Sequence, residues 1–203
     1  MAAEKEILSI DLDGVLADLV TAANELRSKE LKKIVRKEEL GYYDLRKTGP
    51  YKGLKWNRII AYFKDAWANY KEIKLEDQRI PEIIKSLRDY YYIWIVTATV
   101  GKDEQIRSWL EQNDISYDEL IHLDKQIKKI KNVASIHIED YYELAAEMPP
   151  SITILMLRQP WNEKFFTNGA NSHGNILYMK DWQEIQNYLL KRALSRANNY
   201  VKV

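Results

Sequence analysis

The chain has 203 residues, 46% of them hydrophobic and 30% charged, with 31 basic side chains against 30 acidic. This balance fits one globular domain, or a core domain with a modest insertion, and argues against nucleic-acid or membrane-surface proteins, which carry a strong charge bias. Cysteine is absent, which excludes disulfides, thiolate metal sites and cysteine nucleophiles and suits a reducing, cytoplasmic setting.

In chain order, residues 1–6 are polar and lack the apolar core of a signal peptide. Residues 7–10 form a short apolar run that reads as a strand and stops at Asp11 and Asp13, one residue apart, before Gly14. On a regular strand both aspartates project from the same face, at the carboxyl end where open α/β sheets bind ligands. Close carboxylates raise each other's pKa unless a cation or a proton intervenes, and Mg²⁺ bound through carboxylates and a phosphate resolves the conflict. A helix cap would need only one of the two.

Residues 19–77 show no strand pattern. Two helical patterns are joined by a loop-like stretch, 41–55, with its Gly49-Pro50 pair, and Trp56, Ile59, Ile60, Phe63, Trp67 and Tyr70 fall on one helical face. The charged run 28–39 mixes signs and keeps Leu31, Ile34 and Val35 at helical spacing, which reads as a solvated helix. This segment is read as a helical cap over the end of the first strand, leaving 1–18 and 78–203 as the core domain.

Strand-like runs then recur at 92–96, 120–123, 136–138, 152–157 and, more weakly, 176–178, with helical patterns at 82–90 after Pro81 and at 103–112. The alternation predicts an α/β fold, a Rossmann-like parallel sheet flanked by helices with right-handed crossovers. The longest apolar stretch, residues 90–96, is too short to span a bilayer, so no membrane association is expected.

The string Asp11-Leu12-Asp13-Gly14-Val15 resembles the first motif of the haloacid dehalogenase (HAD) superfamily of phosphatases. Ile95-Val96-Thr97-Ala98 resembles its second motif, Ile136-His137-Ile138-Glu139-Asp140 its closing acidic motif, and Lys129 lies where the motif lysine is expected. The helical insertion matches the position of a cap found in many members. Within the superfamily the chain is most similar to the 5′(3′)-deoxyribonucleotidases. That likeness rests on the string from Asp11 to Asp18, the spacing of Lys129 to Asp140, Asp181-Trp182-Gln183-Glu184-Ile185, and Gln159-Pro160-Trp161-Asn162, where Trp161 replaces a tyrosine.

The resemblance implies a Mg²⁺-dependent phosphomonoester hydrolase. Asp11 would be the nucleophile that forms an aspartyl-phosphate and Asp13 the general acid and base. Asp11, Asp13 (through its backbone carbonyl) and Asp140 would hold the metal. Thr97 and Ala98 would contact the phosphoryl group, Lys129 would balance its charge, and Gly14 would let the backbone turn beside it. An aspartate at the second position favours phosphoryl transfer over the superfamily's other chemistries.

The implied substrate is a small phosphomonoester, in the first instance a (deoxy)ribonucleoside monophosphate. A polynucleotide end, a sugar phosphate, a phosphoprotein, or a non-catalytic binding protein on the same fold are the alternatives, and near-neutral charge disfavours nucleic acid. Some assignments stay open. Lys125 or Lys128 could replace Lys129, Glu139 either binds through water or takes no part, and Glu143 is an outer acid or an exposed residue. Tyr43, with Tyr42 and Tyr51, is a candidate substrate contact, whereas Trp56, Phe63 and Trp67 read as cap core. His122, His137 and His173 show no zinc spacing, with His137 read as a core residue and His173 as a loop residue. Oligomeric state is open, a homodimer being allowed.

Overall fold

Isoleucine, leucine and valine occupy successive positions of the strand segments, the pattern of a parallel sheet covered on both faces. The computed structural model describes residues 4–122, 131, 133–167 and 174–200. Its strands are β1 Glu6–Asp11, β2 Tyr91–Thr97, β3 Glu119–His122, β4 Ile136–Glu139, β5 Thr153–Leu157 and β6 Ile176–Met179. They form one parallel sheet in the order β3-β2-β1-β4-β5-β6. The chain builds outward from β1 to one edge and then crosses back to β4, so the carboxyl ends of β1, β2 and β4 meet at the switch point. The register sets Asp11 beside Val96 and Ile10 beside Ile138.

Leu8, Ile10, Ile93, Ile95, Ile136 and Ile138 bury one face of the sheet, beneath α3 Ile80–Leu87, α4 Asp103–Gln112 and α7 Trp182–Tyr200. Val96, Ile121, Ile154, Met156 and Ile176 bury the other, with Ala145 from α5 Tyr142–Ala146. A short α6, Glu163–Thr167, follows β5. The α/β architecture expected from the sequence is therefore present, and each strand-like run holds a strand, although residue 123 lies outside the described residues. Pro81 sits in the first turn of α3, where its missing N–H costs nothing.

Between β1 and α3 the chain forms α1 Leu19–Leu31 and α2 Trp56–Ala68, with three-residue 3₁₀ turns at Lys37–Glu39, Leu45–Lys47 and Gly49–Tyr51. The Asp18 carboxylate caps α1 by accepting from the Thr21 N–H at 3.3 Å. The expected helix across 28–39 does not form. Lys32 turns left-handed (φ 51°) and ends α1, and the Ser28 hydroxyl then accepts the Val35 N–H at 2.8 Å. Val35 turns inward while Ile34 is exposed. Ala23, Val35, Leu40, Leu45, Tyr51, Ile59 and Tyr62 form a separate apolar cluster, which Trp161 enters from the loop after β5.

The two linkers that join this segment to the sheet pair with each other. The Asp18 N–H donates to the Lys74 carbonyl (2.8 Å) and the Glu76 N–H to that of Leu16 (2.9 Å), with Ala17 opposite Leu75. No helix among the described residues is long and apolar enough to cross a membrane.

Candidate active site

β1 delivers Asp11 at its last position, and the chain then turns sharply. The Gly14 N–H donates to the Ala17 carbonyl (2.9 Å), and the Leu16 and Ala17 N–H groups both donate to that of Leu12 (3.0 and 2.8 Å). Gly14 has φ +82°, and a Cβ there would lie 2.5 Å from Asp140 Oδ2 and 3.2 Å from the Trp161 ring. Both the conformation and the space demand glycine.

Asp140 follows β4, the strand next to β1. Carboxylate oxygens of Asp11, Glu139 and Asp140 come within 4.8 Å of one another. Burial, and next the charge of Glu139, raise the Asp11 and Asp140 carboxyls well above the usual range. Asp13 is pushed up to about 7 by burial, moderated by a hydrogen bond from Thr99. Asp13 Oδ1 is enclosed and has no hydrogen-bond partner among the described residues.

Glu139 is committed to the protein. Its Oε1 accepts the N–H groups of Asp140 and Tyr141, each at 3.0 Å, and its Oε2 lies 3.1 Å from His137 Nε2. His137 Nδ1 in turn meets Ser9 Oγ at 2.9 Å, so this histidine is a satisfied core residue, as the sequence suggests. Asp11 and Asp140 are then the carboxylates with lone pairs to spare. Among the described residues no lysine or arginine pairs with Asp11, Asp13, Glu139 or Asp140. A crowded, oxygen-only donor set with an orphaned carboxylate oxygen fits a hard divalent cation such as Mg²⁺.

The loop after β5 braces this centre. Trp161 Nε1 donates to Asp140 Oδ2 (2.8 Å), Asn162 Nδ2 to the carbonyls of Asp140 (2.9 Å) and Leu157 (2.8 Å), and Gln159 Nε2 to that of Gly14 (2.7 Å). Thr97, fully buried at the end of β2, accepts the Thr99 N–H on its Oγ1 (2.9 Å), and its hydroxyl proton remains available. Thr99 Oγ1 accepts from Trp67 Nε1 at 2.7 Å, anchoring α2 beside the centre.

Above the carboxylates lies a cavity of about 200 Å³, with Asp13, Ala98, Thr99 and Asp140 at its polar end and Leu19, Val20, Ile60 and Phe63 among its apolar walls. Tyr43 also lines it, and its phenol pKa is raised, first by burial and then by the charges of Asp140, Glu139, Asp11 and Asp13. The ring of Tyr43 is half exposed while its hydroxyl end lies in the field of the carboxylates.

Of the residues singled out from sequence, Asp11, Asp13, Gly14, Thr97, Ala98, Tyr43 and Asp140 are brought together. Lys129 lies outside the described residues, as do Lys125, Lys128 and His173. Three aromatic readings change. Tyr51 is fully buried and donates to Asn24 Oδ1 (2.7 Å), because the turn Gly49–Tyr51 folds into the helical cluster. Trp56, read as core, is half exposed, and both it and Phe63 line the cavity. Trp67 is core. Glu143 is exposed on α5. The supporting role of Thr99 has no signal in the sequence beyond its nearness to Thr97, whereas Gln159 belongs to the segment Gln159-Pro160-Trp161-Asn162 that the sequence singles out.

The fold is shared with solved proteins of low sequence identity. A haloacid dehalogenase-like hydrolase from Streptococcus pneumoniae superposes with a TM-score of 0.60 at 17% identity, over 91% of this chain and 98% of that one. A protein designated a phosphoglycolate phosphatase from Lactobacillus delbrueckii subsp. bulgaricus gives 0.60 at 12% identity, over 92% and 99%. One designated a beta-phosphoglucomutase from Thermotoga maritima gives 0.55 at 16%, over 92% and 99%. No family model and no curated protein matches the sequence. At these identities the likeness establishes the fold alone.

Proposed function

We propose that the chain is a Mg²⁺-dependent phosphomonoester hydrolase acting on small phosphate esters, with (deoxy)ribonucleoside 5′-monophosphates as the first substrate class. The observation that supports this most is the convergence of the Asp11 and Asp140 carboxylates at adjacent strand ends, with Asp13 two residues on, beneath a roofed cavity. Asp11 attacks phosphorus, and the bond to the leaving oxygen breaks as Asp13 gives that oxygen its proton. Asp13, now ionised, takes a proton from the water that attacks the aspartyl-phosphate, which frees Asp11 and inorganic phosphate. Asp11 and Asp140, with the Asp13 carbonyl, are the groups to hold Mg²⁺, which when bound offsets the charge of carboxylates and phosphate. Thr97 donates to a phosphoryl oxygen beside Ala98, and Lys129 supplies the balancing positive charge. Residues 19–77 act as the cap. The aromatic wall of Tyr43, Trp56, Phe63 and Trp161 supports a flat leaving group such as a nucleobase.

Phosphate release from a panel of nucleoside monophosphates and sugar phosphates, with and without Mg²⁺, tests the reading. Turnover should require Mg²⁺ and fall by about 10³-fold or more in Asp11→Asn. No release from any substrate by well-folded wild-type protein would overturn it.

A further inference from the structure

A second cavity, of about 530 Å³, adjoins the first and shares Tyr43, Trp56 and Trp161 with it. Its lining carries basic side chains, which the first cavity lacks. The first cavity ends on carboxylates, whereas the second gathers Arg46, Lys47 and Lys164 against Asp44 and Glu143. Arg46 engages Asp44 through two hydrogen bonds (2.8 and 3.0 Å) and places its guanidinium over the Trp56 ring at 5.5 Å. Lys164 lies over Phe165 at 4.8 Å and Tyr42 at 5.7 Å. Lys47 makes no salt bridge among the described residues, though its charge adds to that of Arg46 on Asp44.

The walls are built from stacked rings, Tyr43 on Tyr141 at 3.7 Å and Tyr142 on Phe165 at 3.8 Å. Cations held against aromatic faces recognise an anion attached to a flat group. A neutral leaving group has no use for them, and the first cavity alone would hold only a small one. Tyr43 and Trp56 stand between the compartments, so a ligand reaching both would pass along them.

We infer that the larger cavity is a subsite for a second anionic group, carried on the sugar of the substrate's leaving group beside its flat ring. The inference rests on the phosphatase reading for the position of the first phosphate. Two sources supply this chemistry, a nucleoside bisphosphate and the 5′-phosphorylated end of an oligonucleotide. The near-neutral chain, with a net charge of +1, favours the small molecule.

The experiment compares adenosine 5′-monophosphate, adenosine 3′,5′-bisphosphate and the 5′-phosphorylated dinucleotide pApA with Mg²⁺. It uses wild type, Lys47→Glu and Lys47→Arg, and adds calorimetric binding to Asp11→Asn. The bisphosphate should show a KM about tenfold below that of the monophosphate, an advantage that collapses in Lys47→Glu and survives in Lys47→Arg. A dinucleotide as good as the bisphosphate supports the subsite and assigns it to a phosphodiester, whereas a poorer one supports it and assigns it to a terminal phosphate. Equal KM values for monophosphate and bisphosphate overturn the subsite and leave the phosphatase reading intact. If nothing is hydrolysed but the bisphosphate binds more tightly than the monophosphate, the phosphatase reading fails and the subsite stands. Absence of both turnover and binding overturns both.

Discussion

Trp161 donates its indole N–H to Asp140 Oδ2 at 2.8 Å, lies against the space that a Gly14 side chain would fill, and enters the apolar cluster of the helical segment. Its hydrogen bond lowers the pKa of an Asp140 carboxyl that burial and Glu139 otherwise raise. Trp161→Phe keeps a ring and removes the donor, so the Asp140 pKa should rise further. A proton then competes better with a divalent cation for that carboxylate. Mn²⁺ isotherms should show weaker binding in Trp161→Phe, by about tenfold at pH near 6 and by clearly less at pH near 8. An equal loss at both pH values would mean that the indole N–H only packs. The place of Asp11, Asp13 and Gly14 at the exit of a strand is legible from residue type and spacing, whereas Thr97 and Asp140 are singled out by the resemblance of their strand ends to the HAD motifs. The indole contact is not legible, since it depends on how the loop after β5 folds back across β4.

The helical segment is tied to the sheet by a buried ion cluster. Lys37, on the turn Lys37–Glu39, donates to Glu76 Oε1 and Oε2 at 2.6 and 2.7 Å and to Asp18 Oδ1 at 3.1 Å. Asp18 and Glu76 belong to the two paired linkers, and the Lys37 ammonium also lies 5.5 Å from the Trp161 ring centre. At a pH above about 7, where Glu76 is ionised, removing the cation would strand two carboxylates in a mostly enclosed site, with side-chain exposures of 19% and 9%. Lys37→Met should therefore cost about 3–5 kcal/mol in urea unfolding, and adding Glu76→Gln should return part of it. A loss that the second substitution deepens would show that Lys37 acts through packing alone. The strands were visible at this scale because a parallel sheet buries near-continuous apolar runs. The end of α1 was not, because Lys32 carries no residue-type signal for a left-handed conformation. Tyr51, expected as a substrate contact, is instead buried, because a tyrosine in a polar loop gives no sign of the helical cluster beneath it.

Across the whole molecule, the buried acids make stability depend on pH in one direction. Burial raises Asp13 and Glu76 to about 7, and Asp11 and Asp140 are also raised well above the ordinary carboxyl range. The metal-free native state thus keeps protons that the unfolded chain releases near pH 4, and stability falls as pH climbs toward about 7. The sheet topology that gathers Asp11, Asp13 and Asp140 at one switch point therefore works against the fold unless a cation is bound. Divalent binding reverses the sign, because the metal takes the ionised carboxylates and binds the folded state alone. In EDTA the melting temperature should drop between pH about 5 and about 7.5. Saturating Mg²⁺ should raise it by about 5–10 °C at the higher pH and by far less at the lower. A melting temperature that rises with pH in EDTA, or a Mg²⁺ gain equal at both pH values, would mean that these carboxylates neither repel in the apo fold nor hold the metal. In that event the acidic pair in the first strand's exit would serve the turn around Gly14 and not a cation, and the proposed chemistry would lose its electrostatic basis.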